Sequence, residues 1–423
     1  MARSNLSLTR RQALRGAAGL GLLLATSPAA ALAAPADPVL PSGFDATLAQ
    51  ESASAEPDLS WVTLKPESLA NWHFKLDAAD GTRFTLTPKY VDPATTKLKT
   101  VMIPFAKASP PFDATMSKIL DVMYQKQVPV SFSFWFFQRK TENLRRAVEF
   151  AEANNFDLLA PMGSESTEFL HEIYLNGKLP ALSLFTKDPV LIGWMKDFVN
   201  GSGTNMAYCS TAVSIPVQMS YLQAVRAEVK HIGVLYASSS TSTMEAQVIP
   251  LRAVAAANGI NMTEVVVTDD MNPHPEFTAK VPPAVAAMER NDPGFQKSVF
   301  YATGTTAVIN SIELIAQLAG KVPVVSAWPD LVKEGPGSAV LSIGITYDNV
   351  GYLASKYLLD ILFDGTKPAN MPVGVVAPPD LAISFLKARQ VGLKIPYSFF
   401  ETAGYIYDHR GRAVRLAGHA VTA

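Results

Sequence analysis

The chain has 423 residues, long enough for two or three domains with large buried cores. Its 36 Lys and Arg residues nearly balance its 37 Asp and Glu residues, which argues against nucleic acid or a strongly charged surface as the main target. The only cysteine, Cys209, excludes an intramolecular disulfide. Because no reactive motif surrounds it, we predict that Cys209 is a small buried residue.

The first 33 residues have the pattern of an export signal. Residues 9–15 contain the pair Arg10-Arg11 and lead into an uncharged stretch, which ends at the small-residue cleavage site 31–33. We predict a twin-arginine signal peptide over 1–33, with an ordinary secretory signal as the alternative, and a periplasmic location. The apolar stretch is shorter than the about 20 residues that span a membrane, so stable membrane insertion is not expected.

Residues 34–98 form the next predicted region. Its first part, to about residue 60, is rich in Ala, Pro, Ser and acidic residues and is predicted to be a flexible leader. The remainder contains Asp80-Gly81 between alternating apolar and polar stretches, which predicts a hairpin in a small N-terminal extension.

From residue 99 onward, short apolar β-rich runs alternate with amphipathic segments, the order expected of parallel sheets covered by helices. The fold class is therefore α/β, with two lobes facing a cleft. The predicted strands cover 100–105, 130–136, 158–161, 181–185, 231–236, 261–267, 298–301 and 322–326. The predicted helices cover 115–127, 141–154, 244–258 and 306–319.

No pattern in the chain indicates catalysis. The six histidines are scattered without metal-ligand spacing, and no glycine-rich turn has a dinucleotide or phosphate-loop pattern. The segment Gly163-Ser164-Glu165 lacks the second glycine of a hydrolase nucleophile turn. We therefore predict a protein without a catalytic residue, metal or cofactor.

Small polar residues follow the predicted strands, where open parallel sheets bind ligands. We predict that these side chains converge on one ligand in the cleft. The first lobe would supply Ser109, Ser164, Glu165, Thr186 and Asp188, and the second would supply Ser239, Thr305, Trp328 and Asp330.

Several of these residues have a structural interpretation as well. Asp188 precedes Pro189 at the start of an amphipathic stretch and is typical of a helix cap, as is Thr305. Trp328 is either a core residue or a stacking wall for the ligand. Asp330 would pair with a ligand ammonium group or cap a short helix at 331–334.

Residues 100–396 carry a series of motifs in a recognisable order. They comprise Leu179-Pro180 with Thr186-Lys187-Asp188-Pro189, and the segments 321–326, 335–339, 344–351, 361–369, 371–372 and 388–396. In order and spacing they resemble the ABC-transporter substrate-binding protein family that includes tryptophan/tyrosine-type uptake proteins.

This resemblance implies a type I periplasmic-binding fold with two Rossmann-like lobes joined by three crossovers. Lobe 1 would cover 99–208, completed by about 338–368, and lobe 2 would cover 209–337, completed by about 369–400. It also implies a small organic ligand in the interlobe cleft, such as an amino acid or another carboxylate or aromatic compound. An ABC permease and ATPase would then receive the ligand.

Some segments depart from the family pattern. The extension 34–98 and the tail 401–423 have no counterpart, and an aromatic run occupies 134–139, as a pocket wall or a buried strand. Tyr347 and Asp348 lie near an expected crossover. Two alternatives stay open: a ligand-sensing subunit for a membrane signalling partner, with the extension as its docking element, and an exported enzyme.

Overall fold

The computed structural model describes residues 57–421, which contain two sheets. The sheet of lobe 1 has the order β1-β2-β4-β3-β5-β6-β7, and the sheet of lobe 2 has the order β16-β15-β14-β13-β12-β11-β10-β8-β9. The strands of lobe 1 are β1 (Trp72–Leu76), β2 (Arg83–Pro88), β3 (Lys99–Phe105), β4 (Val130–Phe136), β5 (Leu158–Leu159), β6 (Ala181–Thr186) and β7 (Met206–Ser210). Those of lobe 2 are β8 (His231–Ala237), β9 (Asn261–Val267), β10 (Ser298–Ala302), β11 (Val324–Ser326), β12 (Leu341–Gly344), β13 (Asp380–Ser384), β14 (Tyr405–Tyr407), β15 (Ala413–Leu416) and β16 (His419–Ala420).

Helices connect most of the parallel strands. They are α1 (Pro66–Leu69), α2 (Pro110–Gln125), α3 (Thr141–Ala153), α4 (Ser164–Tyr174), α5 (Ile215–Val225), α6 (Thr241–Thr243), α7 (Ile249–Ala257), α8 (His274–Asn291), α9 (Thr306–Asn310), α10 (Ile312–Leu318), α11 (Tyr347–Leu362), α12 (Phe385–Gln390) and α13 (Tyr397–Thr402). A π-helical turn, Met244–Val248, joins α6 to α7, and short 3-10 helices cover Pro329–Leu331 and Pro368–Asn370.

The central strands of both sheets are parallel and buried on both faces. Every residue of β6, β8 and β10 is buried, as expected for strands covered by helices on either side. The predicted α/β class with two parallel-rich lobes is confirmed. The carboxyl ends of these strands lead into the loops that form the cleft between the lobes.

The N-terminal extension is part of lobe 1 from residue 57 onward. Strands β1 and β2 form the predicted hairpin, and β2 pairs antiparallel with β4 at the edge of the parallel strands. Trp61 stacks on Phe136 at 5.0 Å between ring centroids, and its Nε1 donates to the Gly81 carbonyl at 2.9 Å. The extension therefore covers a sheet edge that would otherwise expose unpaired backbone groups.

The chain crosses between the lobes three times, after β7, between β12 and α11, and before β13. Helix α11 packs on α2, β6 and β7 of lobe 1, whereas β12 and β13 pair with each other in lobe 2. The structure thus differs from the boundary predicted at 338–368, because β12 belongs to lobe 2. The tail 401–423 is part of lobe 2, because β14 extends the lobe 2 sheet by pairing in parallel with β13.

Several helix bounds differ from the predictions. Helix α2 begins at Pro110 instead of residue 115, because proline suits the first turn, where its missing N–H has no partner to lose. The helix predicted at 306–319 is broken at Ser311, and the one predicted at 331–334 is the 3-10 turn Pro329–Leu331.

The aromatic part of the run 134–139, residues 134–137, packs in lobe 1, and Arg139 at its end extends to the cleft. Phe134 and Phe137 are fully buried, and Phe134 stacks on Phe84 at 4.4 Å. The structure favours the buried-strand interpretation of this run. Within residues 57–421, no helix is both long and apolar enough to cross a membrane. The signal peptide predicted at 1–33 lies outside the described residues.

Candidate functional site

A cleft lies between the lobes at the carboxyl ends of β3, β6, β8, β10 and β11. Loops from both lobes line it. Its empty volume, including the part that is open to solvent, is about 540 Å³. Six of the predicted site residues line this space: Ser109, Ser164, Glu165, Ser239, Thr305 and Trp328. Strand ends bring these residues together although they are far apart in the sequence.

Three predicted site residues do not line the cleft. Thr186 lies just behind it and donates through Oγ1 to Ser164 Oγ at 3.4 Å. Asp188 accepts from the backbone N–H groups of Val190 and Leu191 at 2.9 and 3.0 Å. These hydrogen bonds stabilise a turn, because no helix lies between β6 and β7, where the capping interpretation expected one.

Asp330 contacts the segment that crosses back to lobe 1. Its Oδ2 accepts from the backbone N–H of Tyr347 at 3.3 Å, and burial raises the pKa of the carboxyl to about 7. Asp330 nevertheless keeps part of its surface in solvent, and it is not among the residues that line the cleft. Its pairing with a ligand ammonium group stays a prediction. Tyr347, next to Asp348, lies at this crossover, as expected.

The two lobes touch through hydroxyl groups inside the cleft. Ser109 Oγ of lobe 1 lies 3.0 Å from Thr306 Oγ1 of lobe 2, at hydrogen-bond distance. Ser109 immediately precedes α2, and Thr306 begins α9, so each hydroxyl is fixed at the start of a helix. A ligand held here contacts both lobes at once.

An aromatic group forms one wall of the cleft. Trp328 stacks on Phe185 with ring centroids 5.4 Å apart, and Phe112 meets Phe185 edge-on at 5.5 Å. Trp328 is only 2% exposed, so it belongs to the core and also lines the cavity. A Cβ atom at Gly304 would lie 2.5 Å from Trp328 Nε1, which explains why the loop has glycine there.

Four charged side chains meet across the cleft, and we call Lys107, Arg139, Glu165 and Asp270 the cleft ion cluster. Asp270 belongs to lobe 2 and the other three to lobe 1. Lys107 Nζ lies 3.1 Å from Glu165 and 3.4 Å from Asp270, and Arg139 approaches the same carboxylates at 2.5 and 2.6 Å. Burial raises the pKa of Asp270, but the Arg139 hydrogen bond and the Lys107 charge outweigh it and bring the pKa to about 2.

The sequence prediction missed two lysines that line the cleft, Lys107 and Lys187. Each directly follows a buried strand or its loop, the same signal that selected the hydroxyl residues. Lys187 lies between Thr186 and Asp188, both of which were selected. A long cationic side chain is usually solvated, which is why the pattern alone favoured its neighbours.

The described residues contain no group of three or more His, Cys, Asp or Glu side chains placed to hold a metal ion. Cys209 is buried, and burial raises the pKa of its thiol far above the usual range, which disfavours a reactive thiolate. The chemistry available in the cleft is therefore hydrogen bonding, ion pairing and aromatic contact.

Comparison with known proteins agrees with this geometry. The model of the family "ABC transporter substrate binding protein" matches residues 112–406. No curated protein matches the chain.

Solved structures share the fold. The ABC domain from Streptococcus pneumonia in complex with L-Trp is 20% identical, with a TM-score of 0.57, covering 73% of this chain and 100% of that one. A ligand-free, open substrate binding protein with adhesive properties from Clostridium difficile is 20% identical, with a TM-score of 0.53, covering 72% and 98%. A conserved domain protein from Vibrio cholerae is 22% identical, with a TM-score of 0.56, covering 74% and 100%.

These likenesses identify the two lobes as a type I periplasmic-binding fold. The family match spans well over half of the chain and includes most of both lobes and the crossovers between them. The chain belongs to the ABC transporter substrate-binding protein family.

Proposed function

We propose that this protein is the periplasmic solute-binding subunit of an ABC importer and captures a small organic ligand in the interlobe cleft. The observation that carries the proposal is that side chains of both lobes line one cavity and meet within it at Ser109 and Thr306. A ligand that contacts both lobes binds the closed form more tightly than the open form, and so shifts the population toward closure.

The proposal includes the partners and the route. A closed, loaded protein would present its surface to an ABC permease, with an ATPase driving release. Export by the twin-arginine route, from the signal predicted at 1–33, would place it in the periplasm. No reaction is proposed, because the cleft has no metal-binding group or activated nucleophile among the described residues.

The lining of the cleft supports a ligand that is partly apolar and partly polar. Phe112, Phe185 and Trp328 offer an aromatic wall, while Ser239 and Thr305 offer hydroxyl groups. The L-Trp complex of the Streptococcus relative supports including aromatic amino acids among the candidates. The same lining supports other carboxylates and aromatic compounds as candidates.

The test is a thermal-shift screen of the mature protein, unfolded and refolded to remove any ligand carried through purification. The panel contains amino acids, aromatic carboxylic acids, amines, sugars and inorganic oxyanions. A compound at 100 times its Kd adds about 2.7 kcal/mol to the free energy of unfolding and raises the midpoint by a few degrees. We expect one chemical class to do so.

Closure gives the second readout. The same compound should reduce the radius of gyration measured by X-ray scattering in solution. A properly refolded protein that responds to no class in the panel would contradict the proposal.

A further inference from the structure

Lys187 occupies an unusual place in the cleft. It follows β6, and its backbone N–H donates to Ser164 Oγ at 2.9 Å. This hydrogen bond fixes the backbone position from which the side chain extends. The side chain reaches across to lobe 2, where Nζ lies 3.3 Å from Ser242 Oγ. Lys187 therefore spans the two lobes from within.

A second, inner cavity adjoins the cleft, and Lys187 and Trp328 line both. Thr211, Gln218 and Gln247 are among the polar residues around the inner cavity. Part of the lysine side chain is accessible at this junction, and protein surrounds the remainder. A group bound at the junction would touch Nζ directly.

The charge of Lys187 has no carboxylate partner at ion-pair distance among residues 57–421. Glu165, the nearest source of opposite charge, already pairs with Lys107 and Arg139. Glu168 also lines the cleft, where burial and the charges of Glu172 and Glu165 raise its pKa, but it forms no ion pair with Lys187. An ammonium group in such surroundings is costly unless something else supplies negative charge.

Hydrogen-bond donors line the cleft that Lys187 enters. Ser239, Ser240 and Ser242 line the cleft beside the lysine. Thr305 Oγ1 and Trp328 Nε1 are buried and lack a hydrogen-bond partner within the described part of the chain. A carboxylate accepts up to about four hydrogen bonds, so one ammonium and several neutral donors match its needs.

We propose that Lys187 anchors a carboxylate group of the ligand, with the apolar remainder of the ligand against the aromatic wall of Phe112, Phe185 and Trp328. This inference rests on the proposed function and narrows its ligand to carboxylic acids, with or without an amino group. A carboxylate at Nζ also supplies the negative charge that this side of the cleft lacks.

Protonation provides an independent signature. Burial lowers the pKa of Lys187 to about 7, with the neighbouring Lys107 charge acting in the same direction and Glu165 opposing it. An anion beside Nζ favours the charged form and raises this pKa again. Binding at pH 8 should therefore take up close to one proton per ligand.

The experiment compares four phenyl compounds by titration calorimetry. They are 3-phenylpropionate, with a carboxylate alone, phenylalanine, with a carboxylate and an ammonium group, phenethylamine, with an ammonium group alone, and 3-phenylpropanol, with neither. Glucose represents uncharged polyols. We expect the two carboxylates to bind, and their ratio of affinities shows whether an ammonium group adds contacts, for example at Glu168.

The variants isolate the lysine charge. Lys187→Met should weaken carboxylate binding at least about 30-fold, because it removes one partner of a desolvated charge pair. Lys187→Arg should recover part of the loss. The matched control is Lys126→Met, an exposed lysine of lobe 1, which should bind like the wild type.

Proton uptake is measured in two buffers of different ionisation enthalpy at pH 8. The wild type should take up a proton on binding, and Lys187→Met should not. Binding of the amine, the alcohol or glucose in preference to the carboxylates, or unchanged carboxylate affinity in Lys187→Met, would overturn the assignment while leaving solute capture intact. No binding by any compound of this set or of the wider panel would overturn both.

Discussion

The cleft contains two groups of charge that differ in their partners. In the cleft ion cluster, Lys107 and Arg139 face Glu165 and Asp270, so the positive and negative charges balance. At the inner junction, Lys187 reaches Ser242 but no carboxylate. Charged side chains in the same cleft therefore have two different roles. A balanced set that bridges the lobes stabilises their closed arrangement, and an unbalanced charge leaves an interaction for the ligand to complete.

The pH dependence of binding separates the two groups and is expected to give the largest effect. Lys187, with a pKa of about 7, loses its charge as the pH rises, whereas Asp270, with a pKa of about 2, stays ionised. Affinity for 3-phenylpropionate should therefore fall by about tenfold per pH unit above 7, up to about 100-fold at pH 9. Calorimetry at pH 6, 7, 8 and 9 measures this.

The control for this profile is Lys187→Met. Glu165, Glu168 and Lys107 line the same cleft as the lysine, and Asp330, near Tyr347, has its pKa raised to about 7. If one of these groups caused the loss of affinity, the variant would show the same slope. A flat profile in the variant assigns the effect to Lys187.

Removing a charge from the balanced set should have a smaller effect. Asp270→Asn deletes the lobe 2 member of the cleft ion cluster and leaves Lys107 and Arg139 with one carboxylate. Because these side chains are partly exposed, the binding free energy of the ligand should weaken by about 1–2 kcal/mol, or roughly tenfold in affinity. The cause is that the substitution makes the closed form less favourable.

Scattering and calorimetry together test this role. The variant should close less completely at a given ligand concentration, and its residual affinity should keep the pH dependence of the wild type. The control is Glu313→Gln, which removes an exposed ion pair with Lys333 away from the cleft. Equal effects of both substitutions would contradict a specific role for the bridge.

The unpaired lysine should lower the stability of the ligand-free protein. Its native pKa lies below the value of about 10.4 in an unfolded chain, so between pH 7 and 10 the unfolded state binds more protons and stability rises with pH. Lys187→Met should therefore raise the unfolding midpoint by roughly 2 °C at pH 6, about 1 kcal/mol after allowing for solvent in the cleft. The gain should shrink toward pH 10. A destabilised variant at pH 6 would indicate that the lysine mainly supports packing.

The neutral contact between the lobes should matter least. Ser109→Ala removes the hydrogen bond to Thr306 and should weaken binding less than about threefold, since a neutral hydrogen bond contributes about 0.5–1.5 kcal/mol and water can replace it. The double variant Ser109→Ala, Thr306→Val leaves no unpaired hydroxyl and should bind about as well as the single variant. A loss as large as that of Asp270→Asn would show that closure depends on hydroxyl contacts more than on charge.

The sequence predicted the fold well because its main signals are local. Alternating strands and amphipathic helices fixed the α/β class, and the strand ends brought Ser164, Ser239 and Thr305 to one cleft. Lobe membership was harder to predict, because α11 and β12 are adjacent in sequence but pack in different lobes.

The ion contacts could not be predicted from spacing at all. Arg139 and Asp270 are 131 residues apart and belong to different lobes, so only the tertiary fold pairs them. Asp330 follows a strand, as predicted, but it binds the backbone N–H of Tyr347 and does not line the cleft. The roles of the predicted site residues stay predictions until binding is measured.

The repeated crossings also determine when each lobe can be completed during synthesis. Lobe 1 lacks a covering helix until α11 has been made, and the sheet of lobe 2 lacks β13 and β14 until residue 407 has been made. Neither lobe can therefore finish folding while the ribosome is still translating the first half of the chain. Completion of both lobes depends on residues beyond 346, and a chain interrupted after β12 would have two unfinished cores.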